Sequence, residues 1–152
     1  MIKILFVCHG NICRSPMAEF VMKDLVKKEG REKEFLIESA ATSAEEIGNP
    51  VHRGTRTKLA EFNISVKGKT ARQMTKSDYD KYDFIIAMDS CNVRNIARIV
   101  EDKHNKISKL LSFAGETGDI ADPWYTDNFD ETYEDILKGC RGLLKHLDLR
   151  CF

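Results

Sequence analysis

Neither sign of charge is in excess in this sequence. Lysine plus arginine and aspartate plus glutamate number 24 each among the 152 residues, so the overall field points neither to nucleic acid nor to a membrane surface. The apolar run after the first residue is too short for a signal peptide or a transmembrane helix, and we find no repeat or low-complexity tract. These absences predict a single domain over residues 1–152, located in the cytoplasm, with no nucleic-acid or membrane partner.

A disulfide framework and a metal site are also poorly supported. Five cysteines is an odd number for a set of disulfides, and Cys8 and Cys13 fall in one short loop. This number and placement of cysteines favours a protein of a reducing compartment over a secreted one. The four histidines show no spacing typical of a metal site, so we expect no metal and no other cofactor.

The first 17 residues contain the most informative pattern. Their apolar run predicts a buried strand that ends at Cys8, and Ser15 with Pro16 predicts a helix with serine as N-cap and proline in the first helical position. Between these elements, Gly10 and Asn11 tolerate left-handed backbone, which lets successive N–H groups turn inward as an anion-binding nest. We therefore expect this loop to hold a tetrahedral oxyanion.

Cys8 and Arg14 lie at the two ends of this loop. Helix-start N–H groups, the positive end of the helix dipole and a guanidinium all stabilise a thiolate, which is the nucleophilic form of cysteine. Arg14 also presents two parallel donors that match two phosphate oxygens. The pattern predicts a nucleophilic sulfur aimed at a phosphorus atom. The alternative is a buried cysteine at a strand end and an ordinary surface arginine.

Apolar periodicity predicts the remaining elements. We expect helices near residues 16–29, 51–62, 75–82 and 91–101 and a last one from Phe129, strands at 35–41, 83–88 and 107–111, and a loop over 112–128. A strand, a helix and a second strand in succession require a parallel sheet. The predicted fold is therefore α/β: a single-domain four-stranded parallel sheet with helices on both faces and a phosphate-binding loop after the first strand.

The pattern V-C-x-G-N-x-C-R-S-P, from Val7 to Pro16, resembles the phosphate-binding loop of the low-molecular-weight protein tyrosine phosphatases. A second landmark of that family, Asp-Pro followed by aromatic residues, is matched by Asp122-Pro123-Trp124-Tyr125. The resemblance covers almost the whole chain. It implies a hydrolase that acts on a phosphotyrosine-containing protein or a small aryl phosphate and releases inorganic phosphate.

The resemblance also implies roles for individual residues. Cys8 is the nucleophile of a cysteinyl-phosphate mechanism, Arg14 binds phosphate, and Asp122 is the general acid and base. Trp124 and Tyr125 form a wall for a flat aromatic substrate. The implied phosphate-binding loop comprises His9, Gly10, Asn11, Ile12, Cys13, Arg14 and Ser15, with Asn11 bracing the loop and Ser15 stabilising the sulfur.

The charge pattern around Asp122 supports its role as an acid. From Leu110 to Leu137 there are eight acidic residues and no lysine or arginine. Clustered like charges and a dianionic substrate disfavour an ionised carboxylate, so an aspartate here can stay protonated and act as an acid. Asp122 is the candidate because the following proline stiffens its loop. For most of the other acids a solvated surface is the better interpretation.

Four positions bear on specificity and redox chemistry. Ile12 favours phosphotyrosine, since protein-arginine phosphatases of similar sequence tend to carry threonine there. Glu45 stands at the other substrate wall, where relatives often have an aromatic residue, and Lys69 stands where some have histidine. Cys13 is either a resolving thiol that forms a disulfide with Cys8 or a small buried packing residue.

Other functions stay open on the sequence alone. An arsenate reductase on the same scaffold needs a closely spaced cysteine pair after the third strand, where only Cys91 lies, while Cys140 and Cys151 are far along the chain. A protein-arginine phosphatase would use the same loop. A non-catalytic phosphoprotein binder would not need Asp122, and a phosphocarrier would not benefit from Arg14.

Overall fold

The computed structural model describes residues 1–150, which form four strands and six helices. The strands are β1 (Ile2–Cys8), β2 (Phe35–Ala41), β3 (Phe84–Ala87) and β4 (Ile107–Lys109). The helices are α1 (Arg14–Lys28), α2 (Arg53–Ala60), α3 (Lys76–Lys81), α4 (Ser90–Ala97), α5 (Pro123–Thr126) and α6 (Phe129–Arg150). Two 3₁₀ turns cover Glu32–Glu34 and Leu110–Ala114. Cys151, noted above as far along the chain, lies outside the described residues.

The four strands form one parallel sheet in the order β2-β1-β3-β4. The central β1 pairs with β2 along its whole length, from Ile2 opposite Phe35 to Cys8 opposite Ala41. Because β2 and β3 flank β1 on opposite sides, the chain reverses its direction across the sheet at β1. Such a switch point leaves a crevice at the carboxyl ends of the strands, where ligands bind in open parallel sheets. The predicted four-stranded parallel sheet is confirmed.

Alternate residues of β1 face two separate cores. Ile4 and Phe6 pack with residues of α1 and α6 in the larger core, whereas Leu5 and Val7 pack with residues of α3 and α4 in the smaller one. All four side chains are fully buried. Burial on both faces explains why the strand is a continuous apolar run rather than an alternating one. The predicted placement of helices on both faces is confirmed.

The prediction that Ser15 caps the first helix is wrong. The helix begins at Arg14, with Cys13 in the cap position and without a side-chain cap. The Ser15 hydroxyl is instead hydrogen-bonded to Cys8 Sγ and to the side-chain amide of Asn11. The hydrogen bonds of Ser15 to Cys8 and Asn11 outweigh its local preference for the cap position. The serine therefore lies inside the first helical turn.

The fourth strand is shorter than predicted. It ends at Lys109 because Leu110 and Leu111 enter a 3₁₀ turn and are buried against α6. The helix approaches this turn closely: a Cβ added to Gly139 would lie 2.5 Å from Leu110 Cγ. A continued strand would point one of the two leucines away from this core.

Helix boundaries also differ from the predicted ones. Helix α2 begins two residues later than expected, because the His52 side chain caps it by accepting from the Gly54 N–H. The predicted loop over 112–128 contains the short helix α5, whose cap is Asp122 accepting from the Trp124 N–H at 3.0 Å. No helix among the described residues is both long and apolar enough to cross a membrane.

Close packing between α6 and the second 3₁₀ turn generates a stability prediction. A Cβ added to Gly142 would lie 2.3 Å from the carbonyl oxygen of Phe113. Gly→Ala normally stabilises a helix interior by about 1 kcal/mol, but here it forces backbone apart, so we expect Gly142→Ala to lower the free energy of unfolding by about 1–3 kcal/mol in urea denaturation. Gly118→Ala is the control, because nothing lies within 4 Å of the added Cβ. Equal effects of the two substitutions would contradict the close approach.

Candidate active site

A pocket opens at the carboxyl end of β1, at the switch point of the sheet. It brings together the loop after β1, the loop after β2 and the segment that begins α5. Its lining residues are Cys8, His9, Gly10, Ile12, Cys13, Arg14, Glu45, Glu46, Asp122, Trp124 and Tyr125. Two predicted loop residues, Asn11 and Ser15, do not line the pocket; both are buried beneath it.

The sulfur of Cys8 has two polar partners. Its Sγ lies 3.0 Å from Ser15 Oγ, and the backbone N–H of Asn11 donates to it at 3.3 Å. Ser15 Oγ already accepts from Asn11 Nδ2 at 2.8 Å, so the serine proton is available to the sulfur. Both contacts stabilise a negative charge on Cys8 Sγ.

Asn11 holds the loop in its shape. Its φ of 59° is left-handed, as predicted, whereas Gly10 is not among the residues with positive φ, contrary to the prediction. The space at Gly10 is used by Glu46, whose Cγ would lie 3.4 Å from an added Cβ. The Asn11 amide donates to Ser39 Oγ at 2.9 Å and its Oδ1 accepts from the Arg72 N–H at 3.2 Å. The loop is thereby tied to β2 and to the segment before α3.

A buried carboxylate lies behind Asn11. Glu19 of α1 is 3% exposed, and its Oε1 accepts from Ser39 Oγ at 2.6 Å. Two lysines balance its charge, with Lys23 Nζ at 2.6 Å and Lys69 Nζ at 3.5 Å. Burial lowers the pKa of Lys69, although Glu19 opposes this shift. Lys69 also donates to the Ser39 carbonyl at 2.9 Å, so it contacts the residues behind Asn11 rather than the loop itself.

Arg14 is a buried cation with a fixed orientation. It is 2% exposed, and its Nη1 donates to Asp89 Oδ2 at 2.7 Å and to the Ile120 carbonyl at 2.9 Å. Its Nε is buried and has no hydrogen-bond partner among the described residues. Burial lowers the pKa of the guanidinium, but Cys8 and Asp89 outweigh that effect and leave the pKa above its ordinary value. Arg14, which lines the pocket, thus carries a permanent charge and keeps one donor without an acceptor in the described chain.

Asp122 lines the same pocket as the loop after β1. Its Oδ1 accepts from the Trp124 N–H at 3.0 Å, and its Oδ2 lies 3.4 Å from Arg14 Nη2. Pro123 is buried, whereas the side chains of Trp124 and Tyr125 are 58% and 84% exposed at the pocket mouth. An aromatic group entering the pocket would therefore cover apolar surface that is now exposed to water.

Glu45 forms part of the other side of the mouth. Its Oε2 lies 3.0 Å from His9 Nε2, and both side chains are about half exposed or more. Its neighbour Glu46 also lines the pocket and accepts from Asn49 Nδ2. This wall therefore carries carboxylates at the position where the family resemblance implied an aromatic ring in many relatives.

The two cysteines of the loop have different environments. Cys13 is 5% exposed, and burial, together with the nearby Cys8 and Asp122, raises the pKa of its thiol to about 12. Cys13 is therefore a neutral thiol at physiological pH, and Cys8 is the better nucleophile candidate because it has hydrogen-bond donors on its sulfur.

Sequence reasoning missed three supporting residues. Asp89 caps α4 by accepting from the Asn92 N–H, and it also accepts from Arg14 Nη1. Its position directly after β3, the strand next to β1, was the signal in the sequence that could have placed it near the loop. Ser39 and Glu19 offered no such signal, since their contacts depend on strand register and on the rotation of α1. No group of three His, Cys, Asp or Glu side chains within residues 1–150 is arranged to hold a metal ion.

Comparison with known proteins identifies the family. The sequence profile described as low molecular weight phosphotyrosine protein phosphatase matches residues 3–150. The chain belongs to this family. It is 43% identical over 147 residues, 95% of this chain and 94% of the relative, to the low molecular weight protein-tyrosine-phosphatase YfkJ of Bacillus subtilis. The predicted family and the predicted enzyme class, a hydrolase of low molecular weight type, are confirmed.

Solved structures of phosphatases share the fold. The crystal structure of YfkJ superposes with a TM-score of 0.95 at 41% identity, covering 99% of this chain and 96% of the other. The phosphatase SP-PTP of Streptococcus pyogenes superposes with a TM-score of 0.86 at 44% identity, covering 97% of this chain and 93% of the other. The drosophila arginine phosphatase DARP superposes with a TM-score of 0.88 at 28% identity, covering 96% of this chain and 98% of the other. The scaffold therefore carries phosphatases of more than one named substrate.

The difference between the loop cysteines predicts a labelling pattern. At neutral pH we expect iodoacetate to alkylate Cys8, which lines the pocket, and the exposed Cys91, but neither Cys13 nor Cys140. The pKa of about 12 keeps Cys13 protonated, so its labelling rises only as the pH increases toward that value. Peptide mass spectrometry measures the sites. Inorganic phosphate should slow the labelling of Cys8 and not that of Cys91; labelling of Cys13 as fast as Cys8 would contradict the assignment.

Proposed function

We propose that this phosphatase hydrolyses phosphotyrosine in proteins, or small aryl phosphates, through a cysteinyl-phosphate on Cys8. The observation that carries the proposal is the buried guanidinium of Arg14, whose Nε has no partner in the described chain and which lines the same pocket as Cys8. A buried charged donor without an acceptor costs free energy that a bound anion recovers. Two oxygens of a phosphate match the Nε and Nη2 donors of an arginine.

The first step transfers the phosphoryl group to the enzyme. Cys8 Sγ attacks phosphorus, the bond from phosphorus to the aryl oxygen breaks, and Asp122 gives its proton to the departing oxygen. Arg14 and the backbone N–H groups of the loop bind the three equatorial oxygens in the transition state. The residues whose backbone binds the phosphate or whose side chains support the loop are His9, Gly10, Asn11, Ile12, Cys13 and Ser15.

The second step returns the sulfur to its starting state. Asp122, now ionised, takes a proton from water as the water oxygen attacks phosphorus, and the bond between sulfur and phosphorus breaks. Inorganic phosphate leaves, and Cys8 becomes a thiolate again. The Ser15 hydroxyl and the Asn11 N–H stabilise that thiolate both as attacker and as leaving group, which is the role supported by their contacts with Sγ.

The pocket walls favour an aryl substrate. Trp124 and Tyr125 offer exposed aromatic surface at the mouth, and Ile12 adds an aliphatic side chain inside it. These surfaces pack against a phenyl ring and extend the site beyond the reach of phosphoserine. Arginine phosphorylation is the second candidate, since DARP shares the fold, but the aliphatic Ile12 favours the aryl substrate over it.

Arsenate reduction and binding without catalysis have less support. An arsenate reductase relays a disulfide through accessible cysteines, whereas Cys140 is fully buried in the core and Cys91 is the one cysteine of α4. A binder without chemistry has no use for a carboxyl group, that of Asp122, in the same pocket as Cys8. The redox role of Cys13 stays a prediction, and the raised pKa of its thiol favours packing over rapid attack.

The wider setting is also a proposal. We expect residues 1–152 to act as one catalytic domain that needs no metal or other cofactor. Cys8, Cys13, Cys91 and Cys140 are free thiols, which supports a reducing cytoplasm as the compartment. The expected partners are phosphoproteins rather than nucleic acid, because the net charge is zero.

Turnover of phosphotyrosine peptides tests the mechanism. We expect no measurable activity in Cys8→Ser, because the hydroxyl is a far weaker nucleophile. Asp122→Asn should reduce kcat/KM about 10²- to 10⁴-fold, since it removes the acid but keeps an acceptor for the Trp124 N–H. Phosphoserine and phosphoarginine peptides, and arsenate with thioredoxin, measure the competing activities. Unchanged turnover in Asp122→Asn would remove Asp122 from the mechanism.

Asp127→Asn is the matched control for the acid. Asp127 is an exposed aspartate of the same turn, has a left-handed φ of 57° that asparagine adopts readily, and does not line the pocket. We expect this variant to keep wild-type activity. A similar loss in both aspartate variants would assign the effect to the turn as a whole.

The carboxylates at the mouth predict a preference for flanking charge. With Glu45 and Glu46 on one wall, peptides with lysine beside the phosphotyrosine should react about two- to five-fold faster than peptides with glutamate there. Glu45→Gln should reduce this ratio, Glu45→Lys should abolish it because the new lysine offsets the charge of Glu46, and added salt should weaken it. The exposed Glu101, which does not line the pocket, provides the control Glu101→Gln. A ratio that Glu45→Lys leaves unchanged would show that the wall does not select substrates.

A further inference from the structure

His52 contacts both the phosphate-binding loop and the segment that carries Asp122. It occupies the N-cap position of α2. Its backbone N–H donates to the Ile12 carbonyl at 2.8 Å, which attaches it to the loop. Its Nδ1 accepts from the Gly54 N–H at 3.0 Å, which fixes the orientation of the ring and leaves the ring proton of the neutral form on Nε2.

The imidazole ring packs on two aromatic side chains, one from α5 and one from the start of α6. Trp124 meets it edge-on, with ring centroids 5.6 Å apart, and Phe129 stacks on it at 5.4 Å. The backbone N–H of Trp124 is the donor that orients the Asp122 carboxyl group. A shift of Trp124 would therefore move the proposed acid relative to Cys8.

Contacts between α2 and α6 keep the ring in place. A Cβ added to Gly54 would lie 2.2 Å from Phe129 Cζ, so the helix start and the Phe129 ring are in direct contact. Lys58 Nζ also lies 2.8 Å from Asp130 Oδ1, but that aspartate is exposed and such pairs contribute little. The close approach at Gly54 is the stronger constraint on where the ring of His52 can lie.

Histidine is an unusual choice for a helix cap. Serine, threonine, aspartate and asparagine are the preferred caps, and each can accept the Gly54 N–H. Only an aromatic ring adds surfaces for Trp124 and Phe129. We propose that His52 is a positioning residue, which aligns the turn bearing Asp122 with the phosphate-binding loop. This inference rests on the proposed role of that aspartate as the acid.

The test uses two substrates that differ in their need for an acid. Phenyl phosphate has a leaving group that requires a proton, whereas 4-nitrophenyl phosphate releases a stable anion. His52→Asn keeps an acceptor for the Gly54 N–H and removes the ring. We expect its kcat/KM to fall about ten-fold for phenyl phosphate and less than about two-fold for 4-nitrophenyl phosphate. Equal losses on both substrates would overturn the proposal.

Two further variants identify the route of the effect. In an Asp122→Asn background, His52→Asn should cause no additional loss, because the acid through which it acts is gone. His52→Phe keeps a ring and loses the acceptor, so it should restore the wild-type ratio between the two substrates. Additive losses in the double variant, or no restoration by phenylalanine, would each contradict positioning through Asp122.

Fluorescence tests the contact without any turnover. Trp124 is the single tryptophan of the chain, so the tryptophan emission reports its surroundings alone. His52→Asn should increase acrylamide quenching of this emission, and unchanged quenching would overturn the inference. The control His146→Asn removes a ring that contacts Phe84 and Phe113, near the other end of α6, and should change neither quenching nor activity. A wild-type protein that hydrolyses neither substrate would overturn the proposed function, whereas the quenching result would still decide the contact.

Discussion

The side-chain amide of Asn11 holds together the parts from which the site is built. It joins the loop after β1 to Ser15 in α1 and to Ser39 in β2, while its oxygen accepts from the backbone before α3. With these bonds made, a left-handed residue is stable in the middle of the loop, and its own N–H is directed at Cys8. The geometry around the sulfur therefore depends on hydrogen bonds made behind the loop, out of reach of substrate.

Charge placement completes the preorganised site. The buried Arg14 is held by Asp89 and by the Ile120 carbonyl, so its guanidinium is oriented before any anion arrives. The carboxylate of Glu19, balanced by Lys23 and Lys69, fixes the hydroxyl of Ser39 on the other side of the loop. Donors that need not reorganise during the reaction are worth more to a transition state than mobile ones. The buried network thus orients the guanidinium of Arg14 and the hydroxyl of Ser39 before a substrate binds.

The contacts of His52 hold a further part of the segment that carries Asp122, the proposed acid. Arg14 and the Ile120 backbone hold the base of the segment that carries Asp122, and the imidazole ring meets Trp124 farther along it. The two sides of the pocket are therefore linked at both ends of that segment by contacts between residues far apart in the chain. A phosphatase that uses one carboxyl group first as acid and then as base needs it at a constant distance from the sulfur.

The sequence alone predicts the central strand, the parallel sheet and a loop that joins Cys8 to Arg14, because apolar runs and neighbouring loop residues act through local geometry. The predicted role of Ser15 as a helix cap is wrong. Capping preference depends on neighbouring residues alone, whereas the hydrogen bonds of Ser15 to Cys8 and Asn11 depend on how the whole loop folds. The supporting contacts of Asp89, Ser39, Glu19 and His52 become visible in the folded chain alone. Their partners lie far away in the chain, and strand register and helix rotation bring them within hydrogen-bond or ring-contact distance.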